Sequence, residues 1–424
     1  MKERLMFLLN RIREKLWVRP LVFCALSIGG AFAARLADET SLGKLAPEIA
    51  RGSIDTLLTI LSASMLVIAT FSVASMVSAY ASASSSATPR AFSLVLADDV
   101  SQNALSTFIG AFIFSIVSLI ALENGFYGVA GRFALFFLTI VVFAVVIATF
   151  VKWVDQIARL GRLGTTIDKV EAATMKAVER RTESPTLGGK AVSGHPSSAV
   201  SITAPTIGYI QRIDLPVLQE LAENNDLLIE VASLPGAFVF PGRILAYAWN
   251  GNGQPPADHD LETLVDGFLI GAARTFDEDP RFGLVVLAEI AGRALSPGIN
   301  DPGTAIGVLD RTVRIFARVG AGSKTEARPG VQYDRVAVPE IEINDLFDDA
   351  YNSIGRDGAG SIEVVVRLQK ALASLATMPR YGMREAALEQ ARRAYMRAQK
   401  TLSHPDDQAM AEKAASFALD AGAN

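Results

Sequence analysis

Two acidic turns carry the residue types most suited to holding a ligand. Asp277, Glu278 and Asp279 precede Pro280, and Asn300 and Asp301 precede Pro302, with Arg274 and Arg293 near them as countercharges. Carboxylate and amide oxygens gathered at helix boundaries suit a hard cation, whereas the arginines suit an anion through charge-assisted hydrogen bonds. The same residues also read as turn and N-cap chemistry, since Asp and Asn before Pro start turns and accept from free backbone N–H groups. The site reading needs the two turns to lie close in space; on the second reading Arg293 supports the fold by pairing with Asp277, Asp279 or Asp301. Catalysis has less behind it. The three histidines, His195, His259 and His404, are dispersed, so neither a histidine metal cluster nor a nucleophile–His–acid arrangement is expected. A Gly-rich phosphate loop with its lysine is absent too. The expectation is no metal, no cofactor and no enzyme activity.

A second pattern sits inside an apolar run. Ser64, Phe71, Ser75, Ser78, Ser82 and Ser85 recur at spacings of seven, then alternately four and three, so hydroxyls and small side chains share one helical face. Met65, Leu66, Ala69, Val73 and Tyr80 make the opposite face mostly apolar. Such a seam lets neighbouring membrane helices approach closely. Alternatively, copies of it line a polar path in an oligomer, with Phe71 as a constriction and Asp55 as a charge at the mouth.

The elements that must position these residues fall into two regimes. Half of the 424 residues are hydrophobic and the net charge is only −4, with a mean hydropathy of +0.31. That is too apolar for an ordinary soluble chain and too charged for one embedded throughout. Near-neutral charge argues against nucleic acid as a partner, because phosphate binding needs a concentrated basic surface. Cys24 has no second cysteine with which to form an internal disulfide.

Four apolar segments, 20–36, 54–83, 104–122 and 133–151, are long enough to cross a bilayer. Lipid offers no hydrogen bonds, so continuous runs of this kind must be helices. The basic start leads into a full-length apolar run without a small-residue cleavage pattern, which reads as a retained anchor. Residues 1–19 have amphipathic spacing and are expected to form an interfacial helix, ahead of a transmembrane domain over 20–151. Lys2, Arg4, Arg11, Arg13, Lys15 and Arg19 precede the first span, and Lys152, Arg159, Arg162 and Lys169 follow the fourth. The loop 123–131 has no Lys or Arg, and Lys44 and Arg51 in the first outer loop are mixed with acids. The positive-inside rule therefore places both termini in the cytoplasm of a bacterial inner membrane. The second span, at about thirty residues, measures about 45 Å at helical rise and must tilt or project. With almost no ionisable residues in the other spans, a proton relay or a broken-helix transport site is disfavoured.

Helical periodicity continues over 152–181 as a stalk, and the Gly, Pro and Ser of 182–204 suggest a flexible linker. A small β-rich unit is expected over 205–257 and a mainly helical region over 258–424, with 335–343 as an edge strand. The Pro235-Gly236 and Pro241-Gly242 turns look like those of biotinyl and lipoyl half-barrels. The lysine that would carry the cofactor is missing, so a structural β-unit is the reading. The fold class is thus membrane α-helical, with four transmembrane helices plus a C-terminal cytosolic α+β domain.

The run from Gly271 through Arg274, Asp277 and Pro280 to Gly283, followed by Arg293, Ser296-Pro297-Gly298 and Asn300-Asp301-Pro302-Gly303, resembles the bacterial predicted-membrane-protein family catalogued as domain of unknown function 2254. The order of the spans, the Ser-rich second span ending in Pro89-Arg90, the Gly208–Asp214 strand and the Pro235-Gly236 turn fit the same family, over about residues 15–320. The resemblance implies the architecture and no activity. Here the second span is richer in Ser and Ala than is usual for the family. Three functions follow as expectations: a homo-oligomeric channel-like protein with a cytosolic regulatory domain, a non-conducting sensor or scaffold binding a small ion, ligand or partner protein, and, with least behind it, a membrane enzyme.

Overall fold

The computed structural model describes residues 17–39, 47–96, 99–159, 162–251, 261, 263–322 and 330–421, and it divides into two units, 1–166 and 167–424. The expected interfacial helix lies almost wholly outside the described residues, as do Lys44 and His259.

The first unit is built of α1 (Val18–Leu36), α2 (Arg51–Ser86), the short α3 (Phe92–Leu96), α4 (Asp99–Glu123) and α5 (Val129–Arg159). Four of these, α1, α2, α4 and α5, are long and apolar enough to cross a membrane. The second runs 36 residues, about 54 Å at helical rise against a hydrocarbon core of about 30 Å. It is longer than expected because beyond Gly52 no Gly or Pro interrupts it until Thr88-Pro89, where the Thr88 hydroxyl accepts from the Arg90 N–H. One core joins Ile54 and Leu58 of α2 to Phe114, Leu122 and Leu135; another joins Leu61, Met65 and Ala69 to Ala104, Phe108 and Trp153.

Helix α5 begins earlier than its apolar run because a residue from the first span caps it. The Asp38 carboxylate, just past α1, accepts from the Gly128 and Gly131 N–H groups at 2.8 and 2.7 Å. A Cβ at either glycine would stand 2.6 or 2.3 Å from those oxygens, so glycine is required for the close approach. The Tyr127 hydroxyl donates to the Ala31 carbonyl at 2.8 Å, a second tie between the same two helices.

In the second unit, helices and strands are mixed. After α6 (Leu163–Glu183) come β1 (Gly189–Lys190), β2 (Val200–Thr203), β3 (Gly208–Ile213), α7 (Leu215–Asn224), β4 (Leu227–Val231), β5 (Phe238–Val239), β6 (Ile244–Asn250) and β7 (Phe268–Gly271). Next are α8 (Pro280–Ala294) and α9 (Pro302–Gly320), then β8 (Tyr333–Ala337), then α10 (Ile343–Asp357), α11 (Ile362–Leu375), α12 (Met383–Thr401) and α13 (Pro405–Asp420). One sheet has the order β1-β8-β4-β6-β2 and the other β5-β3-β7. Strand β8 is parallel to β1 and β4, whereas the remaining pairs are antiparallel. Ile202, Ile210, Leu218, Ile229, Val239, Leu245, Phe268 and Val336 share the core of this β-unit. The helical core includes Phe316, Phe347 and Tyr351, with the first two rings 4.4 Å apart.

Three expectations are corrected here. The stretch 182–204 is not a free linker: β1 and β2 within it join the five-stranded sheet, and Ile202 is buried. Its glycines serve strand pairing, since a Cβ on Gly189 would lie 2.5 Å from the Val336 carbonyl. Strand β8 lies between β1 and β4 rather than at an edge, because Gly189-Lys190 covers its outer side through backbone alone. Strand and helix therefore do not divide at residue 258; α8 and α9 are inserted between β7 and β8 of the β-unit.

Candidate functional site

Along α2 the packed and unpacked faces are distinct. Ile54, Leu58, Leu61, Met65, Ala69, Met76 and Ala79 are buried, with Ser62 and Ser72 among them. Ser64, Phe71, Ser78 and Ser82 are exposed, and Ser75 and Asp55 are half-buried. The side chain of Ser85 lies outside the described residues. Close packing inside the chain thus falls to the Met65–Ala69 face, and among the described residues Ser64, Ser78 and Ser82 of the seam are left exposed. Phe71 stays 61% exposed while meeting Trp153 of α5 edge-on, ring centroids 6.1 Å apart. Thr70 and Ser72 hydroxyls donate back to the Leu66 and Ile68 carbonyls at 2.9 and 2.8 Å, which lets hydroxyl residues persist in an apolar helix.

The acidic turns sit at two helix starts. Asp279 caps α8: one oxygen accepts from the Phe282 N–H at 3.0 Å, the other from Arg274 Nε at 2.7 Å. This carboxylate is 3% exposed. Gly236, at φ +92°, closes over it, and a Cβ there would lie 2.1 Å from its Oδ2. The Arg274 guanidinium also stacks over the Phe282 ring, 5.1 Å from its centroid. Asp301 caps α9, accepting from the Thr304 N–H at 3.0 Å and its hydroxyl at 2.6 Å, bonds that hold its carboxyl below the usual range. Asn300 takes a left-handed φ of +50°, a conformation asparagine tolerates. Asp277 contributes its backbone carbonyl to Arg180.

These turns do not converge. The 15 residues of α8 separate them, about 22 Å at helical rise. Arg293, near the far end of α8, is exposed and, among the described residues, forms no ion pair with Asp277, Asp279 or Asp301. The expectation of such a pair fails because helical periodicity points it outward.

What gathers around Arg274 instead is a cleft of about 500 Å³, lined by the 232–237 turn, Arg243, Arg281, the segment 339–342 and Asp345. Arg281 is committed to its neighbours: Nη1 donates to Asp345 at 2.5 Å and Nε to Asp349 at 2.6 Å. Arg274 Nε is taken by Asp279, and its terminal nitrogens have no acceptor among the described residues. Sequence reasoning missed Arg243, Arg281, Asp345 and Asp349. Only the position of Arg243 directly after the Pro241-Gly242 turn hinted at a role. Among the described residues no group of three or more His, Cys, Asp or Glu could hold a metal ion.

The family of predicted membrane proteins termed DUF2254 matches residues 13–374, which take in all four spans, the β-unit and the cleft. The chain belongs to this family. An uncharacterized protein of Mycobacterium bovis and another of Mycobacterium tuberculosis are each 27% identical to it over 318 residues, covering 71% of this chain. The chain spans 60% of the length of these curated relatives. No solved structure matches it. This DUF2254 member is thus a multi-pass membrane protein with a mixed helical and β region after its spans.

Beside the cleft, this DUF2254 member has a partly buried charge cluster around the buried Arg181. Glu278 lies 3.4 Å from Arg212 Nε, and Arg181 donates to the Pro339 carbonyl at 2.7 Å. Burial lowers Arg181 to about 10, against the opposing pull of Glu278 and Glu340. Burial likewise raises the Glu278 carboxyl, outweighing Arg212. A carboxyl raised in the folded state contributes stability below its unfolded pKa and loses it as pH rises through the folded value. The melting temperature of the unmodified protein should therefore fall more than that of Glu278→Gln as pH rises from the ordinary carboxyl value of 4.5. Parallel pH profiles for the two would contradict this.

Proposed function

We propose that this chain is a homo-oligomeric, channel-like protein of a bacterial inner membrane, with both termini and the α+β region in the cytoplasm. The observation that carries the reading is the uncovered seam of α2. Helices α1 and α5 expose large apolar side chains such as Leu26, Phe32, Phe137, Ile140 and Phe143, as lipid-facing surfaces do. Helix α2 exposes apolar side chains too, Leu57, Ile60, Leu66, Val67 and Val77 among them, but sets the hydroxyls of Ser64, Ser78 and Ser82 on one face between them. Copies of α2 arranged around a common axis give those hydroxyls water or one another, with Phe71 at the constriction. The α+β region, joined in sequence to the last span through α6, is the regulatory element of this reading. The basic flanks of the first and fourth spans support the orientation.

Cysteine accessibility tests it. In a Cys24→Ser background, cysteines at Ser64, Ser75 and Ser78 should react with a water-soluble thiol reagent and cross-link between copies, while cysteines at Met65, Ala69 and Met76 should do neither. If both sets are equally inert, the seam faces lipid and the channel reading fails.

A further inference from the structure

The cleft beside Arg274 has features of a built anion subsite, independent of whether the chain conducts. Its volume of about 500 Å³ suits a small molecule. The Arg274 guanidinium is fixed from the side by Asp279 and from below by the Phe282 ring. Asp279 is itself locked by its capping bond to Phe282 and by the Gly236 turn shaped around it. With Nε occupied, the terminal nitrogens are left as a preorganised, end-on fork, the geometry with which arginine binds oxyanions.

A second arginine borders the same space from another element. Arg243, in the turn just before β6, is exposed and has no side-chain acceptor among the described residues. Arg281 adds no free charge, being held by Asp345 and Asp349. The lining sets Arg243, Arg274 and Arg281 against Glu340, Glu342 and Asp345 and so carries no net positive charge, which disfavours a polyphosphate and leaves a single oxyanion group to be held by directed Arg N–H bonds.

We propose that Arg274 and Arg243 bind the phosphoryl group of a small soluble phosphomonoester in this cleft. Asp279 is the positioning residue, setting the direction of the Arg274 fork.

Calorimetric titration of the full chain in detergent with inorganic phosphate tests the proposal. Saturable binding at one site per chain is expected, weakened at least about tenfold in Arg243→Gln and in Arg274→Gln, on the scale of a lost charge-assisted bond. Arg293→Gln, at the far end of α8, should bind as the unmodified chain does. Arg274→Lys should not restore binding, because an ammonium cannot pair sideways with Asp279 and still present a planar fork. Should Arg274→Gln fail to fold, Arg243→Gln decides, since the Arg243 side chain is exposed and forms no hydrogen bond or ion pair among the described residues. Absence of saturable phosphate binding by the unmodified chain, or unchanged affinity in Arg243→Gln, would overturn the proposal.

Discussion

Asp279→Ala is expected to lower the stability of the second unit by about 3–5 kcal/mol, the cost of breaking a buried ion pair by removing one partner. Asp279 is 3% exposed and serves two donors at once, the Phe282 N–H and Arg274 Nε. Its loss leaves the Arg274 guanidinium, only 21% exposed, without its countercharge and uncaps α8. Asp279→Asn retains an acceptor for the Phe282 N–H and should cost less. Denaturant titration followed by far-ultraviolet dichroism reads both. A loss below about 1 kcal/mol in the alanine variant would reduce Asp279 to an ordinary exposed cap.

The second large effect lies where α6 crosses α8. Thr174 is buried against Gly283, and a Cβ at 283 would sit 1.9 Å from its Oγ1 and 2.7 Å from its Cβ. The Thr174 hydroxyl is held by its bond to the Val170 carbonyl at 2.6 Å, so rotation offers little relief. Gly283→Ala must push the helices apart and should cost about 2–3 kcal/mol, within the range for overpacking a tight core. Adding Thr174→Gly removes the opposing atoms and should recover most of that loss, less about 1 kcal/mol for a glycine inside a helix. Additive losses in the double variant would show that the two residues do not oppose each other. Around this contact, Arg311 and Arg314 of α9 pair with Asp168 and Glu171 of α6 at 2.7 and 2.6 Å. Those half-exposed pairs orient α6, and burial at Thr174 supplies the stability.

The four spans were legible in the sequence because a continuous apolar run of membrane length has one outcome in lipid. The capping roles of Asp279 and Asp301 were legible too, since Asp before Pro starts a helix whatever surrounds it. Proximity was not. Nothing in the spacing of Asp277 and Asp301 shows that α8 is long enough to hold them apart, or that Gly236, about forty residues upstream, would close over Asp279. Strand β1 was hidden for a related reason: Gly189 and Lys190 pair through backbone atoms and carry no apolar alternation. On α2 the seam could be read as a pattern, but which face the chain itself covers is decided by α4 and α5.

Ion flux through the chain reconstituted in liposomes measures what the α2 seam does. Flux should be detectable for the unmodified protein, should rise in Phe71→Ala as the constriction is removed, and should be blocked in Ser78→Leu while the oligomer survives. No flux from the unmodified chain and none from Phe71→Ala, across cations and anions and with the oligomer intact, would contradict the channel reading.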